Sequence, residues 1–295
     1  MNNWDDLRYF LEVARAGNVT SAAKILGVNH STVSRRIHAF EEKHGVRLFD
    51  RVPSGYELTE PATCIYQMAL EVEATHQKIS RSLFGRDGRI QGDISLTMPH
   101  DILEHCLIED LRTFRDEYPE IDLNLFIAKG IKNLAAREAD LAVRLSPAPP
   151  DHLIGTRVAT LQHGIYANTE IDTSNNPDLI VWNSETELPD WAKEHFPNSK
   201  IAMRVDDLYG MFAAVKAGIG IARMPCYLPD ALAAPTVKRM PIAQTRSAWG
   251  VWVLNHADLR YTARIQLCRK FLIKHLKERR GLFEGEQSVF FQKNN

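Results

Sequence analysis

Cysteine is scarce in this 295-residue chain: the four residues Cys64, Cys106, Cys226 and Cys268 stand far apart, with no C-x-x-C pair among them. Thiol metal sites use close pairs and disulfide frameworks use dense, regular sets, so this scatter argues against both and fits a reducing compartment. His105-Cys106 comes nearest to a ligand pair, but adjacent residues on a helix diverge, and no metal ligand or cofactor is expected. No apolar run approaches the length of a membrane span, and the N-terminus lacks the apolar stretch of a secretory signal, so the expected setting is cytoplasmic. An excess of positive charge is missing too: 36 Lys and Arg against 37 Asp and Glu leave a formal charge of -1. That excludes a globally basic nucleic-acid coat and confines any DNA footprint to a local face. P-loop, H-E-x-x-H and nucleophile-elbow signatures are absent. His100-Asp101 could be cast as a catalytic pair, but neighbouring side chains point apart, and the chain is expected not to be an enzyme.

What is present, between Leu7 and Ala62, is a pair of short helices broken at a glycine. Thr20 can cap the first, Ser21 to Leu26, and Gly27 ends it, because glycine enters the left-handed conformation of a tight C-terminal stop. After the turn Gly27-Val28-Asn29 a second helix is predicted from near Ser31 to His44, with Gly45 as its stop. This is the helix-turn-helix unit, whose second helix enters the DNA major groove. Val33, Ile37 and Phe40 recur at helical spacing as an inward apolar stripe. On the opposite face stand Ser31, Arg35 and His38, flanked by Thr32 and Ser34, groups that meet base edges and phosphates. Glu41 and Glu42 would repel a phosphate backbone, which confines DNA contact to the first two turns, where the helix N-terminus adds its positive end. Spacing alone also suits an amphipathic helix whose polar face meets only water.

The stretch DDLRYFLEVARAGNVTSAAKILGVNHSTVSRRIHAFEEKHGVRLFDR resembles the winged-helix head of a LysR-type transcriptional regulator. It is similar to that family's glycine-ended first helix, "AA" helix, Ser-x-x-Ser-Arg-x-Ile recognition helix and Gly-Val-x-Leu-Phe-x-Arg wing. The resemblance implies double-stranded promoter DNA as a partner. It puts the DNA contacts on His30, Ser31, Ser34 and Arg35, with Thr32 beside them, and on Arg51 at the wing. Arg36 stands where the family often has glutamine; its position near the flank makes it a phosphate contact rather than a base reader.

From Pro61 no further proline or glycine interrupts the chain until Gly85, which predicts one long helix. Ile65, Ala69, Val72, His76, Ile79 and Leu83 make a heptad-like seam, which could pair two subunits or lie on a neighbouring domain. The resembling family pairs subunits through this linker helix, and so implies a homodimer or homotetramer.

Beyond GRDGRIQGD, strands alternate with helices, the pattern of an α/β sheet. Strands are predicted at DISLTM, IDLNLFIA, DLAVRL, HGIYAN, LIVWN and WGVWVLN, and helices at HDILEHCLIEDLRTFRDEY, NLAAREA and YTARIQLCRKFLIKHLKERR. Gly218-Ile219-Gly220-Ile221 follows a helix C-terminus, whose dipole has the wrong sign for phosphate. This half resembles the family's effector-binding domain, two α/β lobes like a periplasmic solute-binding protein, with two chain crossings. The whole is thus expected as α + α/β. A winged helix-turn-helix fills 1–60 (motif about 19–38), a linker helix and hinge 61–91, and the effector domain 92–295. Its first lobe is expected at about 92–160 and 257–280, its second at about 161–256.

Ligands of open α/β sheets sit off the carboxyl ends of strands. Those ends offer Thr97, Met98, Pro99, His100 and Asp101, then Gly130, Arg144 and, on the facing lobe, Asp206 and Pro225. Free amides near His100 and the charge of Arg144 favour an anionic small molecule. Asp101 opposes that unless its carboxylate points away, and Arg144 could instead pair with a neighbouring acid. The expected function is promoter binding modulated by such an effector. The alternative is a small-molecule-binding or enzymatic α/β protein whose N-terminal helices only dimerise. The tail SVFFQKNN has no assignment.

Overall fold

The computed structural model describes residues 4–53, 55–84, 88–127, 139–150 and 153–289. The chain divides into two compact units, Met1–Leu83 and Phe84–Asn295.

In the first unit α1 (Trp4–Ala16), α2 (Val19–Leu26) and α3 (His30–His44) precede a hairpin of β1 (Phe49–Val52) and β2 (Gly55–Leu58) and then α4 (Glu60–Phe84). The apolar stripe Val33, Ile37 and Phe40 is buried, against Phe10 and Leu11 of α1 and Phe49 of the hairpin. Full burial of such side chains contributes roughly 1.5–3 kcal/mol each. Gly27 and Gly45 close α2 and α3 in the left-handed conformation. The cap of α2 differs from expectation: Asn18, in extended conformation, accepts from the Ser21 amide at 2.7 Å, and Thr20 lies inside the first turn. Gly55 (φ 135°) presses the hairpin onto the α1–α2 turn; a Cβ there would stand 2.3 Å from the Gly17 carbonyl oxygen, which accepts from the Tyr56 amide at 2.7 Å. No other residue fits that approach.

The second unit opens with β3 (Gly92–Met98), α5 (His100–Ile102), a π-helical turn (Leu103–Leu107) and α6 (Ile108–Glu117). β4 (Ile121–Ile127), β5 (Leu141–Ser146) and β6 (Leu153–Thr160) follow, and with the late strand β12 (Gly250–His256) they form a sheet in the order β4-β3-β5-β12-β6. β3 runs parallel to β4 and β5, and β12 antiparallel to β5 and β6. Here the expected lobe boundary is corrected. Residues 250–256, expected at the end of the second lobe, form a strand inside the first lobe's sheet, with Val251 and Val253 fully buried.

The second lobe pairs β7 (His163–Asn168) with β10 (Ala222–Pro225) and β11 (Val237–Arg239), and β8 (Leu179–Trp182) with β9 (Ile201–Val205). A bridge between Leu179 and Ile221 joins the two strand groups. It explains the Gly218-Ile219-Gly220-Ile221 run. Gly218 (φ 73°) ends the helix α8 (Leu208–Lys216), and a Cβ on Gly220 would stand 2.3 Å from the Asp178 carbonyl oxygen. The run is a packing device. Short helices α7 (Asp190–His195) and α9 (Tyr227–Leu232) complete the lobe.

The chain returns to the first lobe as α10 (Ala263–Glu278) and continues through Gly281 in α11 (Arg280–Phe283). The following residues reach the second lobe: the Arg239 amide donates to the Val289 carbonyl at 2.9 Å. The lobes are therefore linked three times rather than the expected two. One cluster of buried side chains spans both, from Ile94 and Leu96 to Tyr227 and Phe283. The expected helix NLAAREA falls largely outside the described residues. Among the described residues no helix is long and apolar enough to cross a membrane.

Candidate DNA-reading face and effector cleft

Helix α3 sorts its residues by period. His30, Ser31, Ser34, Arg35 and His38 are exposed, Thr32 and Arg36 half-buried, and the apolar stripe is inside. The exposed Arg35 thus leaves the head on the side away from its core. Arg36 stands at the flank of that face, its guanidinium 3.4 Å from Asp6 and 5.6 Å from the Tyr9 ring of α1. The expected phosphate contact stays open to it, since 40% of the side chain is exposed. Glu41 is also turned inward, accepting from the Leu48 amide at 2.7 Å and the Phe49 amide at 3.3 Å, so its charge ties down the entry to the wing. On the hairpin Arg51 lies over the ring of Tyr56 and donates to its hydroxyl at 3.1 Å. A groove of about 590 Å³ runs between α3 and this wing, with Ser34, His38, Arg47, Arg51 and Tyr56 among its walls. Tyr56 and Arg47 were not anticipated; the hairpin register, which sets Arg51 opposite Tyr56, is the signal that finds the first.

The predicted seam on α4 splits between two faces. Ala69 is buried and Ile65 half-buried against the core of the head, while His76 stacks on Trp4 at 5.1 Å. Met68, Val72 and Ile79 project on another face, with Met68 63% exposed. That outer stripe keeps helical spacing.

In the second unit the ends of β3 and β5 bring Thr97 and Arg144 together. Both are buried, and Arg144 donates to the Thr97 hydroxyl at 2.9 Å and to the Val143 carbonyl at 3.1 Å. Its Nε has no hydrogen-bond partner, and no carboxylate pairs with it among the described residues. Burial pulls this guanidinium down to about 10, still charged at neutral pH. Arg144 stands in register with Trp252, whose indole donates to the Ser146 carbonyl at 3.0 Å.

Asp101 is held across the lobe boundary. One carboxylate oxygen accepts from the Tyr227 hydroxyl of the second lobe, the other from the Ile102 amide at 3.1 Å. Burial and the Asp101 charge push the Tyr227 hydroxyl well up, so it remains a donor. A second interlobe contact lies nearby, where the Tyr209 hydroxyl donates to Glu104 and lies 2.7 Å from His105 Nε2. Neither tyrosine was singled out from the sequence. Of the remaining expected residues, Met98 is packed in the core, Pro99 is half-buried, and His100 and Asp206 are exposed. Pro225 is buried and paired with His163 on β7, and Gly130 lies outside the described residues. Three thiols are poor nucleophiles: burial pushes Cys106 and Cys268 up to about 12, and raises Cys226.

Comparison with known proteins adds an independent line. Residues 4–63 match the family model "Bacterial regulatory helix-turn-helix protein, lysR family", and residues 87–277 match "LysR substrate binding domain". The chain is 26% identical over 265 residues to the Mau operon transcriptional activator of Paracoccus denitrificans, covering 88% of this chain and 91% of that one. It is 33% identical over 138 residues to the HTH-type transcriptional regulator BlaA of Proteus vulgaris, a match that spans 47% of each chain, about half the relative's length. In fold it is similar to the full-length Vibrio cholerae virulence activator AphB, with TM-score 0.58, 19% identity, and coverage of 92% of this chain and 99% of that one.

Proposed function

Since this chain belongs to the LysR family of bacterial helix-turn-helix regulators, we propose that α3 reads promoter DNA through Ser31, Ser34 and Arg35 while an anionic small molecule, held by the second unit, modulates that binding. The observation that supports the DNA half is the sorting of α3. Ser31, Ser34 and Arg35 are exposed on the face opposite the buried Val33, Ile37 and Phe40, and Arg51 is held ready on the wing by Tyr56. His30 and Thr32 flank this set at the helix start, where the positive end of the dipole adds to phosphate contact. A guanidinium free to approach a guanine edge can make two parallel hydrogen bonds. The expected outcome is that Arg35→Ala loses about 1–3 kcal/mol of discrimination between a selected duplex and random DNA. Melting should be unchanged, since the side chain is outside the core. A gel-retardation titration of both proteins measures this, and equal discrimination would remove Arg35 from the reading face.

For the effector, support comes from Arg144. A buried cation that no carboxylate among the described residues pairs with is costly, and an incoming carboxylate, phosphate or sulfate group would relieve that cost while Thr97 supplies a hydroxyl. Asp101 keeps its charge, but its two carboxylate oxygens are directed to the Tyr227 hydroxyl and the Ile102 amide. Assembly is proposed through the outer stripe of α4, with a second copy of the chain covering Met68, Val72 and Ile79.

A further inference from the structure

Two contacts on the inner side of α4 serve neither the DNA face nor the proposed pairing stripe. At the end of α1, Arg15 grips Glu73 with both nitrogens, at 2.6 and 3.1 Å, and holds Glu12 at 2.9 Å. The pair is half-buried, with 31% and 14% of the side chains exposed. Three residues further along α4, His76 stacks on Trp4 with an interplanar angle of 15°. Between these points and the start of α4, Ala62 and Ala69 are buried against the head, and Tyr66 sits edge-on to Phe10 at 6.3 Å. The apolar bed ends near Leu70, so the polar and stacked contacts extend the grip by about two helical turns, about 9 Å at a rise of 1.5 Å per residue.

We propose that Arg15–Glu73 and Trp4–His76 form a brace that makes the first half of α4 a rigid arm of the DNA-reading head, and that this brace sets the half-site spacing the protein accepts. The inference rests on the proposed pairing of two chains through the outer face of α4. With one face of the helix given to a partner and the other locked to its own head, the positions of the two α3 helices on DNA follow from one rigid path. Half-site spacing is a geometric consequence of such a path. Without the brace the head is held only by the bed from Ala62 to Leu70, about 12 Å of helix, and can rock about the Ala69 contact. A solitary exposed ion pair would contribute little, about 0–1 kcal/mol. This one is bidentate, half-buried and backed by an aromatic stack, which favours a positioning role. Glu73 and His76 are positioning residues and are not expected to touch DNA.

The test uses the full chain and a duplex selected by it from a random library, remade with spacers lengthened or shortened by a few base pairs. Affinity is read by fluorescence anisotropy and oligomeric mass by sedimentation. The parent should fall off steeply away from the selected spacing. Glu73→Ala and His76→Ala should bind the selected duplex within a few-fold of the parent but lose on the order of tenfold of the spacing discrimination. The exchange Arg15→Glu with Glu73→Arg should restore it, because the new arginine meets Glu12 as well as the new glutamate. A spacing profile identical to the parent's in both single variants, at unchanged mass, overturns the brace. So does a flattened profile that the charge exchange leaves flat. A parent that selects no duplex at all fails earlier, at the DNA-binding reading itself.

Discussion

Among the described residues no carboxylate pairs with the buried guanidinium of Arg144. Desolvation lowers its affinity for a proton but leaves it charged, and the proposed anion would compensate that charge. Two consequences follow with opposite signs. Arg144→Gln should raise the melting temperature of the ligand-free protein or leave it unchanged, because replacing an unpaired buried charge removes its desolvation penalty. The same variant should lose the stabilisation that a small carboxylate gives the parent, which grows with ligand concentration over Kd. A thermal-shift panel of small carboxylates on both proteins measures both effects. Equal shifts in parent and variant would move the anion site away from Arg144. Asp101 shows why a residue type is a poor guide to its role: its carboxylate is spent on Tyr227 across the lobe boundary.

At the scale of the element, α4 is the informative case. Its apolar residues suggested one seam, and the fold divides them: Ile65, Ala69 and His76 go to the helix's own head, while Met68, Val72 and Ile79 remain outside. Val72→Asp or Ile79→Asp should therefore yield chains that fold normally alone but assemble less, since a carboxylate buried between helices is costly. Sedimentation velocity distinguishes this from Ala69→Asp, which should unfold the head because Ala69 is already buried in it. An unchanged oligomer with Asp at either outer position would exclude this stripe as the pairing face. The heptad spacing was legible in the sequence. Which apolar residue faced which neighbour was not, because helical periodicity fixes relative angles around an axis but not the direction of the nearest core.

At the scale of the whole molecule, the end of the chain acts on both lobes. Phe283 is fully buried against Tyr227, the residue that holds Asp101, with ring centroids 5.5 Å apart. Beyond it Ser288 donates to Asp230 at 2.8 Å, and Arg239 donates to the Gly285 carbonyl at 3.0 Å. Tyr166 gives Asp230 a second donor at 3.1 Å. Burial still raises the Asp230 carboxyl, so losing a donor there is expensive. Removing residues 286–295 should lower stability by about 1 kcal/mol, the cost of leaving a half-buried acceptor short of a partner. Urea unfolding would measure it, and hydrogen exchange should rise first around Tyr227. A truncated chain as stable as the parent would make the tail an ornament of the second lobe.

What the sequence determined by itself was local. The stops at Gly27 and Gly45, the inward stripe of α3, and the alternation of strand and helix beyond residue 92 all follow from backbone sterics and from the periods of 3.6 and 2. Those forces act within a few residues and are written in order along the chain. The placement of β12 in the first lobe's sheet, the pairing of Arg36 with Asp6, the turning of Glu41 into the head, and the lack of a carboxylate partner for Arg144 among the described residues were decided by the tertiary structure alone. Each depends on a partner contributed from elsewhere in the chain, or on the lack of one. A side chain's charge is readable from its letter, but whether that charge is neutralised, exposed or left waiting depends on what folding brings within a few ångströms.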